Sequence, residues 1–89
     1  MSRADTVARQ TKVLHRLRRL EGQIRGLQKM IEEERECKDI LTQLVGARAA
    51  LNAVGEIILE AYIEDCQSNG NRAENQALQI IEAVRLLRA

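Results

Sequence analysis

Proline, tryptophan and phenylalanine are absent from this 89-residue chain, and tyrosine occurs once. Those absences remove nearly all aromatic strand formers and the proline turn maker, while Ala, Leu, Ile, Glu and Arg abound, so the composition predicts an all-α protein. No stretch approaches 18 apolar residues, and Met1-Ser2-Arg3-Ala4-Asp5 lacks the hydrophobic run of a secretory signal. No membrane association is expected, and the chain reads as cytoplasmic. There is no Cys-x-x-Cys and no βαβ pattern, which argues against a thiol oxidoreductase, and no enzymatic activity is expected. Helix-turn-helix, zinc-finger and aromatic-stacking signatures are missing too, so a standard reader of DNA or of single strands is not supported. Histidine occurs once, and His15 on a basic helix reads as a surface residue rather than a ligand.

What is present is charge, unevenly spread. Residues 1–29 carry eight Lys or Arg against Asp5 and Glu21, whereas residues 30–89 carry six against eleven acids, so a net charge of +1 hides halves of opposite sign. A basic first third on a nearly neutral chain suits phosphate binding through that third alone. The length fits a single domain, residues 1–89. A chain this short buries only about 60% of its unfolded surface, so self-association is expected to complete its core.

Apolar residues Val13, Leu17, Leu20, Ile24, Leu27 and Ile31 alternate spacings of four and three, which predicts a first helix over residues 7–34 with one buried seam, capped by Asp5 or Thr6. Gly22 and Gly26 interrupt it at a cost of about 1 kcal/mol each, which suggests a tight helix crossing. The acidic run 32–36 reads as a fraying end and short link. A second helix follows over 38–65, with the stripe Ile40, Leu44, Ala47, Leu51, Val54, Ile58 and Ala61 widened by Leu41, Val45, Ile57 and Tyr62, enough for contacts on two sides. Residues 67–71 form the clearest loop, and Ala77, Ile80, Ile81, Val84 and Leu87 mark a shorter third helix. An antiparallel hairpin of the two long helices, packed against its twin, is the economical assembly.

Lys12, Arg16, Arg19 and Gln23 are spaced by four, three and four, so they fall within about 60° of arc on the first helix, with Arg9 nearby. Glu is normally interleaved on such a face, and only Glu21 is present. The row suits neutralisation of phosphates, with Gln23 able to reach base edges or backbone, which makes nucleic acid the natural partner of an assembled surface. A plain helical scaffold with a solvated basic face is the alternative; it explains the seams but not the charge split.

Cys37 and Cys66 are the only cysteines. On one continuous helix, 29 residues at about 1.5 Å each separate them by roughly 44 Å, whereas a disulfide needs Cα atoms within about 7 Å. Joint chemistry therefore requires a second, antiparallel chain, and in a reducing compartment a metal or redox role suits the pair better than a permanent bridge. Unsatisfied N–H groups at a helix start favour an anionic sulfur at Cys37, although Glu34 and Glu36 oppose this, which makes Cys37 the attacking thiol and Cys66 of the partner subunit the resolving one. Taken singly, each cysteine also fits the role of a small buried hydrophobe.

With these features in place, the chain resembles the copper-sensitive operon repressor family, all-helical bacterial regulators that include sensors of copper, nickel or cobalt, formaldehyde and persulfide. The resemblance covers residues 7–87. It rests on Leu14-His15-Arg16-Leu17-Arg18-Arg19-Leu20-Glu21-Gly22-Gln23, on Glu36-Cys37-Lys38-Asp39-Ile40-Leu41-Thr42-Gln43-Leu44, and on the segment ending in Cys66. It implies a three-helix subunit, a long antiparallel hairpin plus a short third helix, assembled as a dimer of dimers that binds operator DNA until an effector fills its site. Carried over by position, Arg16, Arg19, Gln23 and Arg48 belong to the DNA face, and Cys37 with Cys66 of the partner subunit to the effector site.

One position departs from the copper-sensing pattern: the His expected four residues before the second Cys is Tyr62. A protonated phenol is a poor ligand for soft Cu(I), so trigonal Cys-His-Cys coordination is lost, although Cys37 and Cys66 could still hold Cu(I) linearly. His15 is off the position of the nickel sensors' N-terminal ligand, and the proline beside the first Cys of the formaldehyde sensors is absent. The persulfide-sensing branch keeps both cysteines and lacks the ligand His. The expectation is a repressor whose effector is a reactive sulfur species, with no obligatory cofactor; Cu(I) through the same thiolates is the alternative. Tyr62 also fits simple core packing.

Overall fold

A computed structural model describes the backbone of residues 3–68 and 73–89 and the side chains of residues 6–65 and 76–89. The described residues form three helices, α1 (Arg3–Glu32), α2 (Cys37–Ser68) and α3 (Ala73–Arg88), and no strand. This is the all-α architecture read from composition, with longer elements than the apolar pattern alone marked. α1 begins at Arg3, so Asp5 and Thr6 lie inside it and do not cap it. α2 runs past Asp65 to Ser68 because nothing in the polar stretch after it breaks a helix, so the first two residues of the expected 67–71 loop are helical. Residues 69–71 of that loop lie outside the described residues. α3 starts four residues before Ala77.

α1 ends at Glu32, two residues earlier than expected, in a defined motif. Arg35 N–H donates to the Met30 carbonyl at 3.0 Å and Glu34 N–H to that of Ile31 at 3.1 Å, the paired bonds of a Schellman stop. The motif needs a left-handed residue at its turn, and Glu34 fills the place with φ 54° where glycine is usual. α2 then opens at once: the Glu36 carbonyl accepts from Ile40 N–H at 3.1 Å, so Cys37 is its first residue.

Four link residues force α1 and α2 into an antiparallel hairpin. Contacts along its length agree: Gln43 Nε2 donates to the Gln23 carbonyl at 3.2 Å near the link, and Arg9 meets Glu64 at 2.8 Å near the open end. Leu20, Ala47 and Val54 are the buried centre of this seam. α3 packs on α2 and not on α1 among the described residues. Its Leu87 lies against Gly55, where a Cβ would collide with Leu87 Cδ1, so Gly55 makes room for that crossing. Gly22 has open space where a Cβ would be, so the tight crossing expected there is not made within the chain; Gly26 meets Gln43 Nε2 at 3.5 Å.

The resulting subunit is a slab of 54 × 28 × 13 Å with a radius of gyration of 17.2 Å, against about 12 Å for a compact chain of this length. It exposes 7199 Å², about 1,900 Å² more than a compact monomer of its mass. Much of the excess is apolar. Leu41, Leu44, Val45, Leu51, Ile58 and Tyr62 on α2 are all exposed.

Candidate functional site

The wide apolar stripe of α2 is split by the fold into two edges. Ile40, Ala47, Val54 and Ala61 turn toward α1 and are buried or half-buried, while Leu44, Leu51 and Ile58 between them stay open. Cys37 falls on the open side. Over the 29 residues separating Cys37 from Cys66, an unbroken helix makes eight turns and roughly 20° more, so the two positions share a face. Cys37 is exposed; the Cys66 side chain lies outside the described residues, and its backbone is in the last turns of α2. Because α2 is continuous, the separation of roughly 44 Å stands and no thiol pair forms within one chain. In an antiparallel copy laid along this face with Cys37 opposite the partner's Cys66, Leu41 comes opposite the partner's Tyr62 and Val45 opposite the partner's Ile58, so the exposed apolar residues pair with one another.

Tyr62 sits one turn before Cys66 and is 41% exposed. It closes the end of a cleft between α1 and α2 shared with Thr6, Arg9, Gln10 and Asp65, and its other side borders the α2–α3 crevice near Gln79 and Glu82. It is a boundary residue rather than a core one. Among the described residues no three His, Cys, Asp or Glu side chains cluster as a ready metal site. A metal held at Cys37 by three or more such side chains therefore draws at least one of them from outside the described side chains of one chain.

The basic stripe is real but not uniform. Lys12, Arg16 and Arg19 are exposed on α1 and pair with no described acid, so their charge is free for an anion. Gln23 differs: it is half-buried, and its Oε1 is buried without a hydrogen-bond partner while Gln43 occupies its backbone carbonyl. Arg9 differs more. It faces α2 rather than the stripe and is 26% exposed with its guanidinium on Glu64. Arg48 is exposed on α2, and His15 is exposed on α1. Sequence reasoning missed Glu64 and Gln43, the two α2 residues that engage the stripe; their only advance signal was antiparallel register, in which position 9 meets the mid-sixties and position 23 the early forties.

A free cation row on one long helix, an exposed thiol opening a second, and an open apolar face demanding a partner are features of a ligand-responsive nucleic-acid regulator. Residues 9–89 match the family described as metal-sensitive transcriptional repressor, and the chain belongs to that family. It is 45% identical over 51 residues to the copper-sensing transcriptional repressor RicR of Mycobacterium tuberculosis, covering 57% of this chain and 53% of RicR; the match thus spans about half of that relative's length. It is 34% identical over 76 residues to the copper-sensing transcriptional repressor CsoR of Bacillus subtilis, covering 79% of this chain and 75% of CsoR. Among solved structures it is similar to the nickel-responsive transcriptional regulator InrS, with a TM-score of 0.79, 31% identity and coverage of 86% of this chain and 90% of InrS. It is also similar to the copper-sensing repressor CsoR with Cu(I) from Geobacillus thermodenitrificans, with a TM-score of 0.74, 30% identity and coverage of 100% and 92%. The family is one of transcriptional regulators rather than enzymes. No helix of the described residues is long and apolar enough to cross a membrane.

Proposed function

We propose that this protein is an operator-binding repressor, a dimer or tetramer whose Lys12, Arg16 and Arg19 bind duplex DNA, and that a reactive sulfur species releases it through Cys37 and Cys66 of neighbouring subunits. Arg48 and Gln23 join the DNA face by position, Gln23 after its side chain turns outward. The observation that carries the reading is the shared face: two thiol positions roughly 20° apart at opposite ends of one helix, on the side left open to a partner. The Cys37 thiolate takes the outer sulfur of an organic persulfide and releases the organic thiol, forming a Cys37 persulfide. The partner's Cys66 thiolate then attacks the sulfur bonded to Cys37 and expels hydrosulfide, leaving a disulfide across the subunits; a second persulfide equivalent gives a trisulfide. A covalent bond across that face changes subunit packing and disfavours the DNA-binding form.

The copper-sensing relatives favour a second reading, in which the same two thiolates hold Cu(I). Tyr62 in place of a ligand His opposes it, since a phenol is a hard, protonated oxygen at neutral pH. One experiment separates the two. Reduced protein selects a duplex from a random pool, then meets an organic persulfide or, anaerobically, stoichiometric Cu(I), and both mass and DNA binding are followed. A cross-linked subunit pair with lost DNA binding supports the sulfur reading; tight Cu(I) with equal loss and no cross-link overturns it. In the Tyr62→His variant, Cu(I) affinity is expected to rise about tenfold or more, because an imidazole that suits copper replaces a phenol that does not.

A further inference from the structure

The basic stripe is interrupted at its N-terminal end by an acid from the other helix. Arg9 and Glu64 meet at 2.8 Å, with side-chain exposures of 26% and 52%. The pair joins different helices, unlike Lys29–Glu33 and Arg35–Asp39, which are local i,i+4 contacts. It also joins different functions. Arg9 lies three residues, about 4.5 Å along the axis, from Lys12, so a phosphate held by Lys12 and Arg16 comes within reach of its guanidinium once the side chain swings away from α2. Glu64 lies between Tyr62 and Cys66 in the last turns of α2, and Arg9, Tyr62 and Asp65 border one cleft.

We infer that Glu64 is an internal competitor for the phosphate-binding charge of Arg9, so that DNA binding and the position of the α2 turn carrying Tyr62 and Cys66 are coupled. Arg9 held by Glu64 releases no counterion when DNA arrives; Arg9 swung to a phosphate leaves Glu64 free and the α1–α2 cleft unlatched. By reciprocity, whatever moves the end of α2 alters how readily Arg9 leaves it. The inference rests on the DNA-binding reading above and names a positioning residue that reading does not require.

The test is a double-mutant cycle on the full chain: wild type, Glu64→Gln, Arg9→Ala and the double variant, titrated with the selected duplex between 50 and 300 mM salt. With the Glu64 carboxylate removed, Arg9 competes better for a phosphate, so the plot of log affinity against log salt is expected to steepen by up to about 0.9 per engaged subunit in Glu64→Gln. Affinity at 100 mM salt rises several-fold, and the gain vanishes when Arg9 is also removed. An unchanged or weakened Glu64→Gln, or a gain that persists in the Arg9→Ala background, overturns the inference, the latter because it reports only the loss of a nearby negative charge. If wild type selects no duplex, both readings fall; if wild type binds with a salt slope that Lys12→Ala reduces while the cycle shows no coupling, only this one does.

Discussion

The two edges of α2 carry the same kinds of residue and meet different fates. On the edge facing α1, Ala47 and Val54 are 7% and 3% exposed; on the other, one turn round, Leu51 and Ile58 are 55% and 54% exposed. Periodicity reports that a position wants to leave water, not what it leaves water against. The first edge is satisfied by the chain itself, across the hairpin. The second is satisfied only by another molecule, and the slab's surplus of about 1,900 Å² over a compact monomer exceeds the roughly 800 Å² a standard interface takes from each partner.

The sharpest way to break this contrast is a charge on the open edge. Leu51→Glu places a carboxylate at the middle of the proposed antiparallel contact, where an unpaired buried charge costs on the order of 3–5 kcal/mol. The variant is expected to sediment as a monomer at concentrations where wild type is oligomeric, and to lose DNA binding. Retention of the wild-type oligomer would show that the open edge of α2 is not the contact.

A smaller effect separates the edges by its concentration dependence. Leu20 is 6% exposed at the centre of the α1–α2 seam, and Leu20→Ala is expected to cost about 2–4 kcal/mol through lost burial and the cavity left behind. Because Leu20 acts within one chain, that loss persists at every protein concentration, whereas the Leu51→Glu defect weakens as mass action favours assembly. Denaturant melts at two concentrations a hundredfold apart distinguish them. A Leu20→Ala deficit that disappears at the higher concentration contradicts the assignment of this seam to the single chain.

Much of this was readable in the chain. Three helices, the Cys37 position at the head of the second, the free cations Lys12, Arg16 and Arg19, and a stripe too wide for one neighbour all follow from spacing, because each depends on the 3.6-residue period and little else. What escaped depends on which helix faces which. Arg9 sits close to the cation stripe by angle, but position 64 opposite supplies an acid and turns it inward. Gln23 belongs to the stripe by spacing, yet its neighbour across the seam is Gln43, and it ends half-buried. Gly55 carries no pattern at all, and only the path of α3 shows why it has no side chain. Gly22 is the reverse case: its spacing from Gly26 suggests a crossing, and the described residues of this chain leave open space there, so any close helix at Gly22 comes from another chain.

The stop of α1 offers the gentlest test, because it alters the hairpin and leaves the open edge alone. Glu34 adopts φ 54° between two Schellman hydrogen bonds, a conformation that costs an L side chain roughly 1 kcal/mol and glycine almost nothing. Glu34→Gly removes that strain, and the added backbone freedom of glycine in the unfolded chain offsets part of the gain. Removing a carboxylate from the C-terminal end of α1, where the helix dipole disfavours negative charge, adds a few tenths of a kcal/mol in the same direction. The net expectation is a stabilisation of about 0.5–1 kcal/mol, read as a small rise in the denaturation midpoint with unchanged association, since no apolar surface on the open edge is touched. A drop in stability instead would mean that the Glu34 side chain contributes more to the link before Cys37 than its backbone strain costs.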